Sequence, residues 1–226
     1  MIAIKLLLVF AVSYLLGSVS FAIVISKVFF KQDIRNFGSG NAGMTNVLRT
    51  FGKGAAVVTF AGDFLKGSFS VLFAKFMFSR QTLDLAYAGA DSGFFTPLFW
   101  YEAAMYIAIG GALLGHLFPL YFGFKGGKGI SVAFGGAFTA LPVNTLFAFG
   151  VFLLVFLISK MVSLASIISV IAFFVFTMAK FYITGVFSLP TFITATLFPS
   201  VIIYAHRGNI KRILNGTEYK FGKKNK

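Results

Sequence analysis

Four short segments carry most of the residues with chemistry to offer. The first, Gly38-Ser39-Gly40-Asn41-Ala42-Gly43, spells G-x-G-x-x-G, and Asp63 lies 20 residues beyond its last glycine. That is the lettering of a dinucleotide fingerprint, but no buried strand precedes it and no βαβ unit surrounds it. Asp63 also falls within an apolar run. Its physical content survives. Glycine amides can approach an anion closely, and Ser39, Asn41, Thr45 and Asn46 add hydrogen-bonding groups, with Arg49 ten residues after Ser39. A Gly/Asn turn capping the next helix, with Arg49 as a cytoplasmic anchor, accounts for the same letters.

Phe124-Lys125-Gly126-Gly127-Lys128-Gly129 leaves one apolar run and enters another. It is not a Walker A loop, because Phe122 stands where the first glycine belongs and Gly129 where Ser or Thr is needed. Three glycines and two lysines at a helix start still make a phosphate cradle. Backbone donors, helix dipole and ammonium charge act there in one direction. A flexible turn with snorkelling lysines is the plainer alternative. The third segment, 161–166, offers Ser163, as a site hydroxyl or as a helix N-cap. In the fourth, His206, Asn209 and Ile213 fall near one helical face, and a basic interfacial helix that attracts anionic lipid fits equally. Asp63 and Lys66 sit at i, i+3 inside an apolar run, where neutralising each other is the simplest role. His116, three residues before Pro119, reads as a buried hydrogen-bonding histidine rather than a base.

The elements that position these segments are membrane helices. Of the 226 residues 58% are hydrophobic and 12% charged, with mean hydropathy +0.89, which excludes a soluble globular enzyme and a disordered chain. The net charge of +14 hints at nucleic acid, but most of the charges lie between long apolar runs, so no nucleic-acid partner is expected. The absence of cysteine excludes disulfides, thiolate nucleophiles and Cys-ligated metals. Residues 6–26, 103–124, 161–179 and 181–205 are uncharged runs of 21, 22, 19 and 25 residues, and 54–79 is mostly apolar. The first has no small-x-small exit and reads as a helix, not a signal peptide. The run 129–159 is long for one span and short for two. Split at Pro142, it gives seven spans, with 15 basic residues on one side and four (Lys5, Lys75, Arg80, Lys180) on the other. Left whole, it gives 8 against 11. Positive flanks favour the cytoplasm, so the expectation is an all-α integral membrane protein of seven transmembrane helices, N-terminus outside and C-terminus cytoplasmic. The whole chain, 1–226, forms one polytopic domain in that scheme, with 80–102 outside. All four polar segments then open on the cytoplasmic face.

In order and spacing the segments resemble the bacterial acyl-phosphate–dependent glycerol-3-phosphate acyltransferases (the PlsY family). The matching pieces are Gly38 through Arg49, Gly115-His116-Leu117-Phe118-Pro119 leading into Phe124 through Gly129, Val162 through Ser166, and His206 through Arg212 with Gly216 and Glu218. Asp63-x-x-Lys66-Gly67 fits as well. One departure follows the glycine–lysine loop, where the family usually reads Val-Ala-Thr and this chain has Ile130-Ser131-Val132.

The resemblance implies transfer of a fatty acyl group from acyl phosphate to the 1-hydroxyl of glycerol 3-phosphate, the first acylation of bacterial phospholipid synthesis. The products are lysophosphatidate and inorganic phosphate, and the setting is the bacterial inner membrane with the site facing the cytoplasm. It implies Ser39, Arg49, Ser163, His206 and Asn209 as catalytic residues. Phosphate binding goes to Gly38, Gly40, Asn41, Thr45, Asn46, Lys125, Gly126, Gly127, Lys128 and Gly129, with Asp63, Lys66 and Glu218 structural. The donor is an activated mixed anhydride, so neither metal nor organic cofactor is expected; a monomer is compatible with this reading, which leaves the oligomeric state open. The His-x4-Asp signature of acyl-CoA–dependent acyltransferases is missing, since Tyr121 and Lys211 stand five residues after the two histidines. Direct attack by the substrate hydroxyl is therefore favoured. A small organic-phosphate transporter, or a basic membrane scaffold, are the competing classes; glycine loops gathered at one face argue against both.

Overall fold

The computed structural model describes residues 2–79 and 96–222, and most of the stretch 80–102 expected outside the membrane lies beyond them. The described residues are helical, without strands. They fall into two compact units, Met1–Ala140 and Leu141–Lys226.

In the first unit α1 (Ile2–Ser18) and α2 (Phe21–Phe30) lead through a 3₁₀ turn (Ile34–Asn36) to α3 (Met44–Phe51) and α4 (Lys53–Met77). Then α5 (Pro97–Leu117) and a second 3₁₀ turn (Leu120–Phe122) precede α6 (Ile130–Ala140). Thr96 caps α5 by accepting from the Phe99 amide at 3.2 Å, with Pro97 at the first helical position, where its missing N–H costs nothing. α1 packs on α5, and α4 on both α5 and α6. The contacts are backbone-close. A Cβ at Gly111 or Gly115 of α5 would strike α1, and one at Gly67 of α4 would strike α6. Small residues are how apolar helices gain contact where no hydrophobic force drives them together.

The second unit holds α7 (Pro142–Ser159), α8 (Val162–Thr184), α9 (Leu189–Ala205) and α10 (Arg207–Leu214). α7 packs on α8, joined by a 2.9 Å hydrogen bond from Asn144 to Thr177 and by the stacked rings of Phe147 and Phe176. Leu154, Leu157, Ile158, Ile183 and Tyr182 are exposed, as lipid-facing side chains are.

By length and apolarity the described residues hold five helices able to cross a membrane, or six if α9 and α10, bent by 61°, count as one. The expected split of 129–159 is present at Leu141, but α6 has only 11 residues, about 16 Å of helix, short of a hydrocarbon core. That is the difference from the expected seven. The run 6–26 is not one helix: it breaks at Val19-Ser20 between α1 and α2. Likewise α8 runs on through Lys180 to Thr184, because the stop signal is Gly185 in the left-handed region at φ +67°.

Candidate active site

In the first unit two loops are built against each other. Asp33 caps the 3₁₀ turn through the Arg35 amide at 3.0 Å and also takes the Arg35 guanidinium at 2.8 and 3.0 Å. The Arg35 hydrogen bond holds the Asp33 carboxyl at about 2, below its ordinary 3.8. The remaining guanidinium nitrogen donates to the Phe122 carbonyl at 2.7 Å, which ties this loop to the one after α5.

Asn46, on the first turn of α3 and 2% exposed, organises the 34–41 stretch. Its Oδ1 accepts from the Ser39 amide at 3.0 Å, and its Nδ2 donates to the carbonyls of Ile34, Phe37 and Asn41 at 3.2, 2.9 and 3.1 Å. Both amide hydrogens are thus spent on the loop. Asn46 shapes the glycine segment instead of offering those donors to a ligand. Gly38 and Gly40 take positive φ, and a Cβ on Gly38 would run into Asn46 Oδ1. This leaves Ser39 exposed, Asn41 and Thr45 half-exposed, and Arg49 half-buried on the last turn of α3.

The second loop folds back on the end of α5. Gly126 and Gly127 donate their amides to the carbonyls of Leu117 and His116 at 3.2 and 3.1 Å. A Cβ on Gly127 would collide with the His116 ring and come within 2.6 Å of the Ala42 carbonyl, so the two glycine loops meet there. Lys125 is exposed and Lys128 half-buried, and Gly129, at φ +85°, delivers the chain into α6. Beneath them, Asp63 and Lys66 of α4 form a buried ion pair at 2.9 Å, and His116 Nδ1 lies 3.0 Å from Lys66 Nζ.

In the second unit one carboxylate gathers the polar residues. Glu218 Oε1 accepts from Ser163 Oγ and Asn209 Nδ2, both at 2.8 Å, and Oε2 from Arg212 Nε at 2.8 Å. Burial alone would raise the Glu218 carboxyl, but the hydrogen bonds from Ser163, Asn209 and Arg212 outweigh it and hold it below its ordinary value. Ser163 is not the N-cap of α8, a position taken by Met161. His206 sits at the bend between α9 and α10, 3% exposed, with Nδ1 2.8 Å from the Ile202 carbonyl. A carbonyl only accepts, so Nδ1 carries hydrogen and the lone pair of the neutral ring is on Nε2.

Glycine loops opening into helices, with Arg and Lys beside them, suit phosphate-bearing substrates. The family model described as glycerol-3-phosphate acyltransferase matches residues 7–216. The chain belongs to that family. A glycerol-3-phosphate acyltransferase of Clostridioides difficile is 39% identical over 96% of both chains, and one of Aquifex aeolicus is 39% identical over 96% of this chain and all of its own. Among solved structures, PlsY, an integral membrane glycerol 3-phosphate acyltransferase, in its glycerol 3-phosphate form has TM-score 0.78 and 37% identity over 96% of both chains. Its lysophosphatidic acid form has TM-score 0.74 and 36% identity over 96% of this chain and 95% of its own.

For this acyltransferase, a membrane protein by its family and its long apolar helices, sequence reasoning missed two residues. Asp33 and Arg35 were visible only as an acid and a flanking positive charge, although their i, i+2 spacing at the end of an apolar run is a turn signal.

Proposed function

We propose that this acyltransferase takes its acyl group from acyl phosphate. The glycerol 3-phosphate 1-hydroxyl oxygen attacks the acyl carbonyl carbon and a C–O bond forms. The bond from that carbon to the phosphate oxygen breaks, and phosphate leaves with the electron pair. The products are lysophosphatidate and inorganic phosphate, the first acylation of phospholipid synthesis. Both substrates are anions, and the observation that carries this reading is the pair of abutting glycine loops followed by Arg49 and Lys128.

In this scheme Arg49 and Lys128 hold phosphate, with the amides of Gly38 and Gly129 and the side chains of Asn41, Thr45 and Lys125 around it; the amides of Gly40, Gly126 and Gly127 are spent on the carbonyls of Phe37, Leu117 and His116 and shape the loops instead. Ser39, Ser163 and Asn209 orient the reacting groups. The hydroxyl proton passes to His206 Nε2 or to a substrate phosphate oxygen. His206→Gln with wild-type turnover and an unchanged pH profile would remove the histidine from that role. Two features support reading the chain as one catalytic domain of seven spans, the 11-residue α6 counted as a short one, in a bacterial inner membrane, N-terminus outside and the site facing the cytoplasm. The family match runs through both units, and the sorting of 15 basic residues against four requires the break at Leu141.

Phosphate release by the purified protein from palmitoyl phosphate plus glycerol 3-phosphate tests the donor, with palmitoyl-CoA and Arg49→Ala beside it. Release that needs both substrates and is lost in Arg49→Ala is expected. Acyl transfer from palmitoyl-CoA alone would overturn the donor assignment.

A further inference from the structure

Charges deep in apolar helices are expensive and stay where something needs them. Asp63 and Lys66 on α4 and His116 on α5 are 1, 4 and 3% exposed and form one connected group. Lys66 Nζ donates to the Val19 carbonyl at 2.7 Å, lies 3.0 Å from His116 Nδ1 and forms an ion pair with Asp63 Oδ1 at 2.9 Å, an oxygen that is also 3.6 Å from His116 Nδ1. An ammonium only donates, so toward Lys66 His116 Nδ1 accepts and the ring proton is on Nε2.

Neutralising Asp63 requires Lys66 alone; the other two contacts reach further. Val19 is where the first helix breaks, and Lys66 satisfies a carbonyl at that break. His116 lies directly under the second glycine loop. Its carbonyl takes the Gly127 amide, its ring fills the place a Gly127 side chain would need, and its carbonyl blocks one at Gly126. Ring and carbonyl together form the floor on which Gly126-Gly127 rests. A rotation of the His116 ring would move its part of that floor, and Lys66 is the side chain that meets its Nδ1.

We propose that Lys66 is a positioning residue for the phosphate-bearing substrate held at the second glycine loop. Through His116 and Val19 it fixes the Gly126-Gly127-Lys128 loop in its anion-holding shape. The proposal rests on the reading of that loop as a phosphate site.

Steady-state kinetics of full-length Lys66→Met, varying each substrate in turn, test it. The expected result is a KM for at least one of the two phosphate-bearing substrates raised about tenfold or more, as follows when a binding loop shifts by a fraction of an ångström. A merely structural lysine would lower the active fraction, and so apparent kcat, leaving both KM values alone; that outcome overturns the proposal. Because Asp63 left alone could prevent folding, Asp63→Asn/Lys66→Met, which removes both charges, and His116→Leu, which keeps the pair, are measured alongside. Both are expected to raise the same KM, and an unchanged value in whichever variants fold counts against Lys66. A wild-type protein that turns over no acyl phosphate strikes the donor assignment instead, and the same comparison is then made on glycerol 3-phosphate binding by calorimetry.

Discussion

Glu218→Ala is expected to be the most damaging single change in the unit Leu141–Lys226. The carboxylate accepts three hydrogen bonds, each 2.8 Å long. Ser163 and Asn209 are 7 and 6% exposed, so truncating Glu218 leaves two buried donors without their acceptor. Hydrogen bonds to a charged group contribute roughly 1.5–3 kcal/mol each, and a stranded buried donor costs a similar amount. The Arg212 side chain is 44% exposed, and its contribution falls to about 0–1 kcal/mol. Offset by relief of carboxylate burial, the loss comes to about 3 kcal/mol, a large share of a margin of roughly 5–15 kcal/mol.

At about 2–4 °C per kcal/mol for a chain of this size, Glu218→Ala lowers the melting temperature by roughly 6–12 °C. Glu218→Gln keeps an acceptor oxygen but loses the charge and places an N–H2 in reach of Arg212, costing roughly half as much. Arg212→Ala costs least. Circular dichroism melts in detergent micelles measure all three. The Glu218 carboxyl is held below its ordinary 4.5, so its stabilisation is complete above that value and is lost as pH falls through the folded one. The gap between wild type and Glu218→Ala should therefore narrow on acidification below 4.5. A Glu218→Ala protein that melts within about 1 °C of wild type at neutral pH would refute this reasoning. So would an Arg212→Ala loss as large as that of Glu218→Ala.

Asn46→Asp keeps the acceptor for the Ser39 amide but turns a carboxylate toward the carbonyls of Ile34, Phe37 and Asn41. It should therefore be worse than Asn46→Ala by about 2 kcal/mol in thermal melts, with a higher KM for glycerol 3-phosphate. Asp33, held at about 2 against an ordinary 3.8, gives stability that is full above 3.8 and fades as pH falls toward 2. Arg35→Met should flatten that acid slope, read from melts across the range, and free the loop from the Phe122 carbonyl. Gly129→Ala puts a side chain at φ +85° and against Leu113, costing about 1–3 kcal/mol. In a double-mutant cycle with Leu113→Ala, which lowers the melting temperature by its own cavity, the combined loss should be less than the sum of the two single losses, the shortfall being the steric part.

What the sequence displayed of this fold was what local chemistry sets. Pro142 is a local helix-start signal, and the charge count chose it as the break, so the boundary at Leu141 could be placed from the run of letters; Pro199, inside α9, shows that proline alone does not decide. The break at Val19-Ser20 could not be placed in that way. Residues 6–26 are apolar throughout, and the group that completes the Val19 carbonyl is Lys66, 47 residues away. The same limit governed the site. Ser163, Asn209 and Glu218 were each visible as polar residues at plausible places, yet the bond from Ser163 to Glu218 spans 55 residues. Asn46 beside a glycine loop reads as a ligand donor until its four backbone partners are seen. Residue type announces capacity to bond; only the fold shows where that capacity is spent.

That expenditure has a chemical logic for an acyl transfer between activated donor and alcohol. With the anhydride already activated, little covalent work is left to the protein, and the barrier falls chiefly through holding anions and a hydroxyl in place. Loops that bind anions by their own amides are soft, since glycine gives them freedom as well as access. Each polar segment here is tied down by buried side chains that bond it from within: Asn46 for 34–41, His116 with Lys66 beneath 126–128, and Glu218 for the C-terminal stretch. A side chain spent in this way cannot also shuttle protons. Losing one of these should therefore show in substrate KM and in melting temperature, while the pH profile of turnover follows groups outside these clamps, His206 or a substrate phosphate.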